Sequence, residues 1–401
     1  MTVELSQHAQ YAQYMHLEVG QIRLLTLHPC GKTDGPIECE LSNYELDNAP
    51  PYETLSYFWG TNRNTRAISL HGSPFEVREA LYNALRCLRR PQTSRLLWVD
   101  FICIDQTNQV EIYEQISRLN DICAKAKSVP IYLGESTIAT DRAVDYLMPI
   151  EEGGTSQIPS GKVDNSILEG LQDILSRSYF QRAWILQDVF HARAMVLHCG
   201  SKAVSSNTMI RASELLPVKI DPLSREVLNL MPGSRSRRDN EASSKIQLYD
   251  LIQRFQHAKT TDPRDKIYAL LGMVDFGHSK SIILPDYTMS LKDLMREIIA
   301  NLCFCELSSV PELPYATIDD FLANLAPIDN DILKKILETS LEIDLASLLL
   351  HGSRYIGIDR ALVEAAGRNK TKGDEMVEIL LSAIGDESLA SPTPSEASSV
   401  F

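Results

Sequence analysis

The residues most able to do chemistry sit at the ends of short apolar runs. Asp100 follows LLWV, at the expected carboxyl end of a strand buried on both faces. Open α/β sheets put ligand-binding groups there, though an aspartate in that position can equally cap the turn into FICID. Arg182 could grip a phosphate through two parallel hydrogen bonds, or pair with Asp100 or Asp188 and hold the fold together. Tyr57 and Trp59, within YETLSYFWG, either face a ligand or pack against the sheet, and Trp98 reads as core. Cys103 and His198 could meet as nucleophile and base. Against that, Cys103 lies in an apolar run, which raises a thiol pKa, and the chain has no G-x-S-x-G elbow. GKTDG at 31–35 is no phosphate loop, because Thr26 stands where the first glycine of the cradle belongs.

Metal chemistry finds little support. The eight cysteines are spread thinly and include no CxxC pair, so buried reduced thiols are the expected state. The 401 residues carry 39 Lys+Arg against 53 Asp+Glu, a net charge of −14, which argues against a basic nucleic-acid-binding surface. No run reaches the ~18 consecutive apolar residues of a membrane span, and MTVELSQHAQ lacks the order of a secretion signal, so a cytoplasmic protein is expected.

These residues need a scaffold, and the pattern supplies an α/β one. Ile22–Leu27, Tyr52–Gly60, Arg95–Asp105, Ser128–Gly134 and 194–200 read as strands or strand-bearing segments, and His71-Gly72 as the turn of a hairpin. Helices are expected from about Arg78, over Ile167–Leu175, and across 111–126. In the last, Ile112, Ile116, Leu119 and Ile122 form the apolar face, and Glu111, Glu114, Arg118 and Lys125 the solvent face. Strand, helix and strand in that order imply a parallel βαβ unit and a mostly parallel sheet. EEGGTSQIPSGK at 151–162 and PGSRSRRDNEASSK at 232–245 read as loops. TTDPRDKIYALLG starts another helix, 301–386 forms an all-helical region, and 387–401 a disordered tail.

Four segments in order, YETLSYFWG, LWVDFICIDQTNQVEIYEQ, RAWILQD and TTDPRDKIYALLG, resemble the fungal heterokaryon-incompatibility (HET) domain. The family pattern ends its third motif in Gln-Glu where this chain has Gln187-Asp188, and puts Arg after the glutamate at 111 where it has Ile112, while Gln115 keeps its place. The resemblance implies non-self recognition: a HET core over 49–210 after an N-terminal segment (1–48), and an extension over 211–300. It also implies cell death triggered by self-association or assembly with other incompatibility proteins. The HET family is distantly similar to TIR domains, which implies a TIR/flavodoxin-like sheet flanked by helices. Some TIR members hydrolyse NAD with a glutamate four residues after a tryptophan. Trp184 and Asp188 have that spacing, which puts an aromatic wall beside a carboxylate on one helix face. On that reading Asp188 and Trp184 are catalytic, Tyr57, Trp59, Asp100 and Arg182 bind the ligand, and NAD is substrate, with no cofactor required. On the other reading the domain is a non-enzymatic interaction module, which the shorter Asp188 favours. A role beside a secondary-metabolite pathway is a third expectation.

Overall fold

Arg95–Trp98 and Val129–Tyr132 are short apolar strands that lie on either side of one extended segment, Glu53–Tyr57, and this arrangement organises the fold. The computed structural model describes residues 14–32, 34–60, 63–153, 163–237, 246–274, 283–303, 307–323, 325, 330–339 and 360–385. The chain divides into two compact units, the first covering 1–245 with 257–259, the second 246–256 with 260–401.

In the first unit the strands are β1 (Gln21–Leu27), β2 (Glu38–Glu45), β3 (Glu53–Thr54), β4 (Ser56–Tyr57), β5 (Thr65–Leu70), β6 (Ser73–Arg78), β7 (Arg95–Trp98), β8 (Val129–Tyr132), β9 (Met195–Cys199) and β10 (Lys202–Ser205). They form a six-stranded sheet of order β3-β7-β1-β2-β5-β6 and a four-stranded sheet of order β10-β9-β8-β4. The α/β class with flanking helices is as expected, but the pairing is more mixed than a mostly parallel sheet. β1 pairs antiparallel with both β2 and β7, β5 with β6, and β9 with β10. The reason is local: β5 and β6 are joined by a tight turn with His71 at φ 51° and Gly72 at φ 77°, which can only reverse the chain, as the sequence implied.

Besides the parallel pair β2 and β5, the parallel pairing forms the βαβ core. β7 runs parallel to β3, β8 to β4, and β9 to β8. The expected β7-helix-β8 unit therefore exists with Glu53–Tyr57 inserted between its strands. Counted along the chain, the four parallel segments lie side by side as 2-1-3-4, a flavodoxin-like order of the kind in which open α/β sheets bind ligands at the carboxyl ends of the strands. Glu53 locks this seam. Its carboxylate pairs with Arg95 of β7 and accepts from Ser128 Oγ at 3.0 Å. Burial alone would raise its pKa, but the Arg95 and Ser128 hydrogen bonds hold it below the usual range.

Helices cover the sheets: α1 (Glu79–Leu88), the single turn α2 (Asp100–Cys103), α3 (Gln109–Ser117), α4 (Leu119–Lys125), α5 (Ile138–Gly153), α6 (Asn165–Leu175), α7 (Ile185–His191), α8 (Ser206–Leu215) and α9 (Pro222–Leu230). The single amphipathic helix expected across 111–126 is two, broken at Arg118 (φ −104°, ψ 6°). There the Arg118 guanidinium reaches out to the carbonyls of Gly20 and Gln21. Its solvent face is also corrected at Glu111, which is buried, as is Gln115 one turn on. Glu111 makes a bidentate ion pair with Arg23, a charged residue inside the apolar run of β1, and accepts from the Asp105 amide at 2.7 Å. Arg23 also donates to the Cys103 carbonyl at 3.2 Å, so the pair ties β1 to the loop that begins at Asp100. A pair of this kind satisfies both charges without water. Of the loop expected at 151–162, residues 151–153 belong to α5, and 154–162 lies outside the described residues.

The second unit is helical in its described residues: α10 (Leu248–Phe255), α11 (Asp265–Leu271), α12 (Leu291–Leu302), α13 (Ile318–Ala323), α14 (Asn330–Thr339), α15 (Arg360–Gly367) and α16 (Gly373–Gly385). The acidic helix start at 262–265 is structural here. Asp262 accepts from the Arg264 amide at 3.0 Å, Arg264 donates to the Met289 carbonyl at 3.0 Å, and Tyr287 donates to Asp265 at 2.7 Å. The tail expected over 387–401 and most of the loop at 232–245 lie outside the described residues. No helix among the described residues is long and apolar enough to cross a membrane.

Candidate active site at the carboxyl ends of the parallel strands

Along Glu53–Tyr57 the side chains alternate between the two faces, so Thr54, Ser56 and Phe58 share one side while Tyr57 and Trp59 share the other. On the first side Ser56, 2% exposed, donates from Oγ to Asp188 Oδ2 at 2.6 Å. With the serine proton committed to that carboxylate, the buried Tyr179 hydroxyl donates to Ser56 Oγ at 2.9 Å. Cys123 of α4, fully buried, points its thiol at Asp188 Oδ1 at 3.7 Å. Asp188 rides in the first turn of α7, which Trp184 precedes as the N-cap residue. The four-residue spacing between them is thus one helical turn, as the sequence implied.

On the second side Asp100 opens the turn α2 directly after β7. Its Oδ1 accepts from the Phe101 amide at 2.7 Å, and the Trp59 indole N–H also hydrogen-bonds the carboxylate. Asp100 thus stands just past a strand's carboxyl end, its carboxylate bonded to the amide of the residue that follows it. Trp59 packs edge-on against Phe101 at 5.9 Å. Tyr57 is 5% exposed and belongs to the core, as does Trp98 at 3%.

The two carboxylates feel each other. Burial is the largest influence on Asp188 and pushes its pKa up to about 7. The Ser56 hydrogen bond opposes this, and the negative charge of Asp100 adds to it. Burial likewise raises Asp100 to about 6, against the Phe101 amide and the Arg182 charge. Both acids therefore titrate closer to neutral pH than an exposed aspartate. Arg182 acts electrostatically on both without an ion pair to either among the described residues, which corrects the direct pairing the sequence favoured. Its guanidinium lies over the Phe58 ring at 5.6 Å instead.

Sequence reasoning missed Ser56, Tyr179, Cys123 and Arg78. Arg78, at the end of β6, stacks over Trp59 at 5.4 Å. Ser56 and Tyr179 lay in plain view within YETLSYFWG and SYFQRAW, but their contacts cross 123 residues and leave no local signal. The Cys103 and His198 pairing does not occur. Burial pushes the Cys103 thiol up to about 12 and His198 down to about 4, and His198 Nδ1 faces Cys87 at 3.8 Å. Among the described residues no group of three or more His, Cys, Asp or Glu could hold a metal ion, and the seven described cysteines are free thiols.

Residues 52–188 match the family model "Heterokaryon incompatibility protein (HET)". The matched HET segment begins at the strand that carries Ser56 and ends on Asp188, so it encloses both carboxylates and the whole parallel core except β9. The chain is also 25% identical over 339 residues to "Heterokaryon incompatibility protein 6, OR allele" of Neurospora crassa, across 67% of this chain and 49% of the relative. It therefore spans about half the length of the curated relative it matches. No solved structure matches the chain.

Proposed function

We propose that this protein acts in fungal heterokaryon incompatibility, promoting cell death by hydrolysing the N-glycosidic bond of NAD. The observation that carries the chemistry is the carboxylate pair, Asp188 at about 7 and Asp100 at about 6, at the carboxyl ends of the parallel strands. Cleavage breaks the bond from ribose C1′ to the pyridinium nitrogen. The electron pair goes to nicotinamide, which leaves neutral, and the ribose passes through an oxocarbenium-like state. An ionised carboxylate beside it stabilises that positive charge. Water then attacks C1′ and gives a proton to the second carboxylate, yielding ADP-ribose, nicotinamide and one proton. Asp188 is the carboxylate at the ribose, held by Ser56, with Trp184 as the aromatic neighbour and Asp100 as the partner acid. The likeness of the Trp184-to-Asp188 spacing to TIR domains supports the same chemistry.

A second reading is assembly without catalysis, through self-association or docking on other incompatibility proteins. Val110 and Tyr113 on α3, 68% and 47% exposed, favour it as an apolar contact surface. NAD content followed over time in fungal cells induced to express the protein, beside Asp188→Asn at matched levels, separates the two. Depletion that precedes death and vanishes in the variant is the expected result. Death with NAD unchanged in both would overturn hydrolysis and leave assembly.

A further inference from the structure

Tyr179 is 1% exposed, and a phenol that deep in a core needs a partner for its hydroxyl. That partner is Ser56 Oγ at 2.9 Å, which in turn lies 2.6 Å from Asp188 Oδ2. The three groups form one chain of hydrogen bonds from the core to a half-buried carboxylate. An ionised carboxylate only accepts, so the Ser56 proton goes to Asp188 and the phenol is left to donate to Ser56. Each donation polarises the next, which strengthens the bond that ends on the charge. Tyr179 is itself firmly placed. It lies in the turn Ser178–Gln181, which Arg177 pins at one end by donating to the carbonyls of Leu133 at 3.0 Å and Glu135 at 2.8 Å. At the other end the Lys259 amide donates to the Gln181 carbonyl at 2.6 Å, and the Lys259 carbonyl accepts from the Ala183 amide at 3.1 Å. A carboxylate held through partners whose own positions are locked keeps its geometry better than one held by a free hydroxyl.

We infer that Tyr179 is a positioning residue for the hydrolysis, acting through Ser56 to fix the rotation of the Asp188 carboxylate and to favour its ionised form. The inference rests on the hydrolytic reading above, and adds to it a residue too deeply buried to touch the ligand. The ionised form is the one that meets the positive charge developing on the ribose. Other groups act on Asp188 as well. Asp100 after β7 opposes its ionisation, Arg182 favours it, and Cys123 of α4 presents its thiol at 3.7 Å. On α7 itself His191 lies in the last turn, edge-on to Phe190, and Arg237 donates to the Val189 carbonyl at 3.2 Å. At the start of α9, Asp221 accepts from the Ser224 amide and from Gln181. None of these is altered below, so a change in pH dependence reports the hydroxyl chain.

The test uses the full chain and reads the same carboxylate in two ways. One is the pH profile of nicotinamide release from NAD. The other is the titration midpoint of the Asp188 carboxyl carbon by isotope-edited NMR, its signal assigned by its loss in Asp188→Asn. Ser56→Ala removes the donor to the carboxylate, so the acidic limb of the profile and the NMR midpoint should both rise by about one pH unit. Release should then fall about tenfold near pH 6 and far less near pH 8.5. The loss that remains at the higher pH is expected in kcat, with KM for NAD within about twofold. Tyr179→Phe should move limb and midpoint the same way by about half a unit. Added to Ser56→Ala it should move neither further, because its route to Asp188 is gone. Tyr52→Phe is the control for a lost buried hydroxyl. Tyr52 donates to the Ile122 carbonyl of α4 at 2.6 Å, so its loss should lower the thermal midpoint and leave the limb in place. A limb and midpoint unmoved by Tyr179→Phe, or moved as far in the Ser56→Ala background, overturn the positioning role. So does a loss of activity uniform across pH with a lower thermal midpoint, which packing alone would produce. No nicotinamide release from the wild-type chain at any pH sinks hydrolysis instead. The NMR midpoint then decides by itself: a rise in Tyr179→Phe keeps the hydroxyl chain's hold on Asp188, and no rise overturns it.

Discussion

Replacing Asp188 by asparagine should stabilise the fold at neutral pH while it removes activity. The carboxyl is raised to about 7 in the folded state, first by burial and then by Asp100. An unfolded aspartate titrates near 3.9, and about 1.4 kcal/mol accompanies each pH unit, so the gap corresponds to ~4 kcal/mol. Asp188 is only half-buried, so about 2 kcal/mol is the figure to expect. The sign follows from proton counting. Between pH ~4 and ~7 the folded state holds more protons than the unfolded one, so stability falls as pH rises through that window. Asparagine is neutral throughout and nearly isosteric; its carbonyl still accepts from Ser56, as Asp188 Oδ2 does at 2.6 Å. The variant should therefore match wild type at pH 4 and exceed it by about 2 kcal/mol at pH 8. For a unit of this size that is roughly 4–8 °C in the thermal midpoint. Thermal unfolding of the full chain at both pH values reads the difference. A variant destabilised equally at pH 4 and pH 8 would refute the reasoning, because it would mean that the carboxylate bears no burial penalty.

Three further outcomes are expected. The rate of NAD cleavage, kcat/KM, should rise with pH through a limb whose apparent pKa lies between the about 6 of Asp100 and the about 7 of Asp188, then level off; a flat profile from pH 5 to 8 would remove the carboxylates from the chemistry. Arg23→Met alone should cost about 3–5 kcal/mol in urea denaturation by stranding the buried Glu111, whereas Arg23→Met with Glu111→Leu should recover most of it. Gly170→Ala would put its Cβ 2.1 Å from the Ala139 carbonyl oxygen, forcing α5 and α6 apart, and a loss of about 1–3 kcal/mol should appear as a lower denaturation midpoint.

Local pattern made the α/β class legible. Apolar runs of four to seven residues set β1, β7 and β8, and the His71-Gly72 turn set the β5 and β6 hairpin. What the pattern misjudged came from charge. Periodicity assigns every glutamate on a helix to solvent, so Glu111 was put outside, because the Arg23 that neutralises it lies 88 residues away. The β7 and β8 strands were read correctly as parallel, yet nothing local told that a third segment separates them, since strand order depends on which edges meet.

The sequence by itself determined the inventory: the fungal HET motifs, the carboxylates Asp100 and Asp188, and the aromatic residues that flank them. Tertiary structure alone decided how these act on one another. Ser56 and Tyr179, 123 residues apart, meet at Asp188, and Arg78 reaches Trp59 across the hairpin. A side chain's type is written in the chain, whereas its pKa depends on how much water the fold removes and which charges it brings near. Both are properties of packing between segments distant in sequence, and no local pattern encodes them.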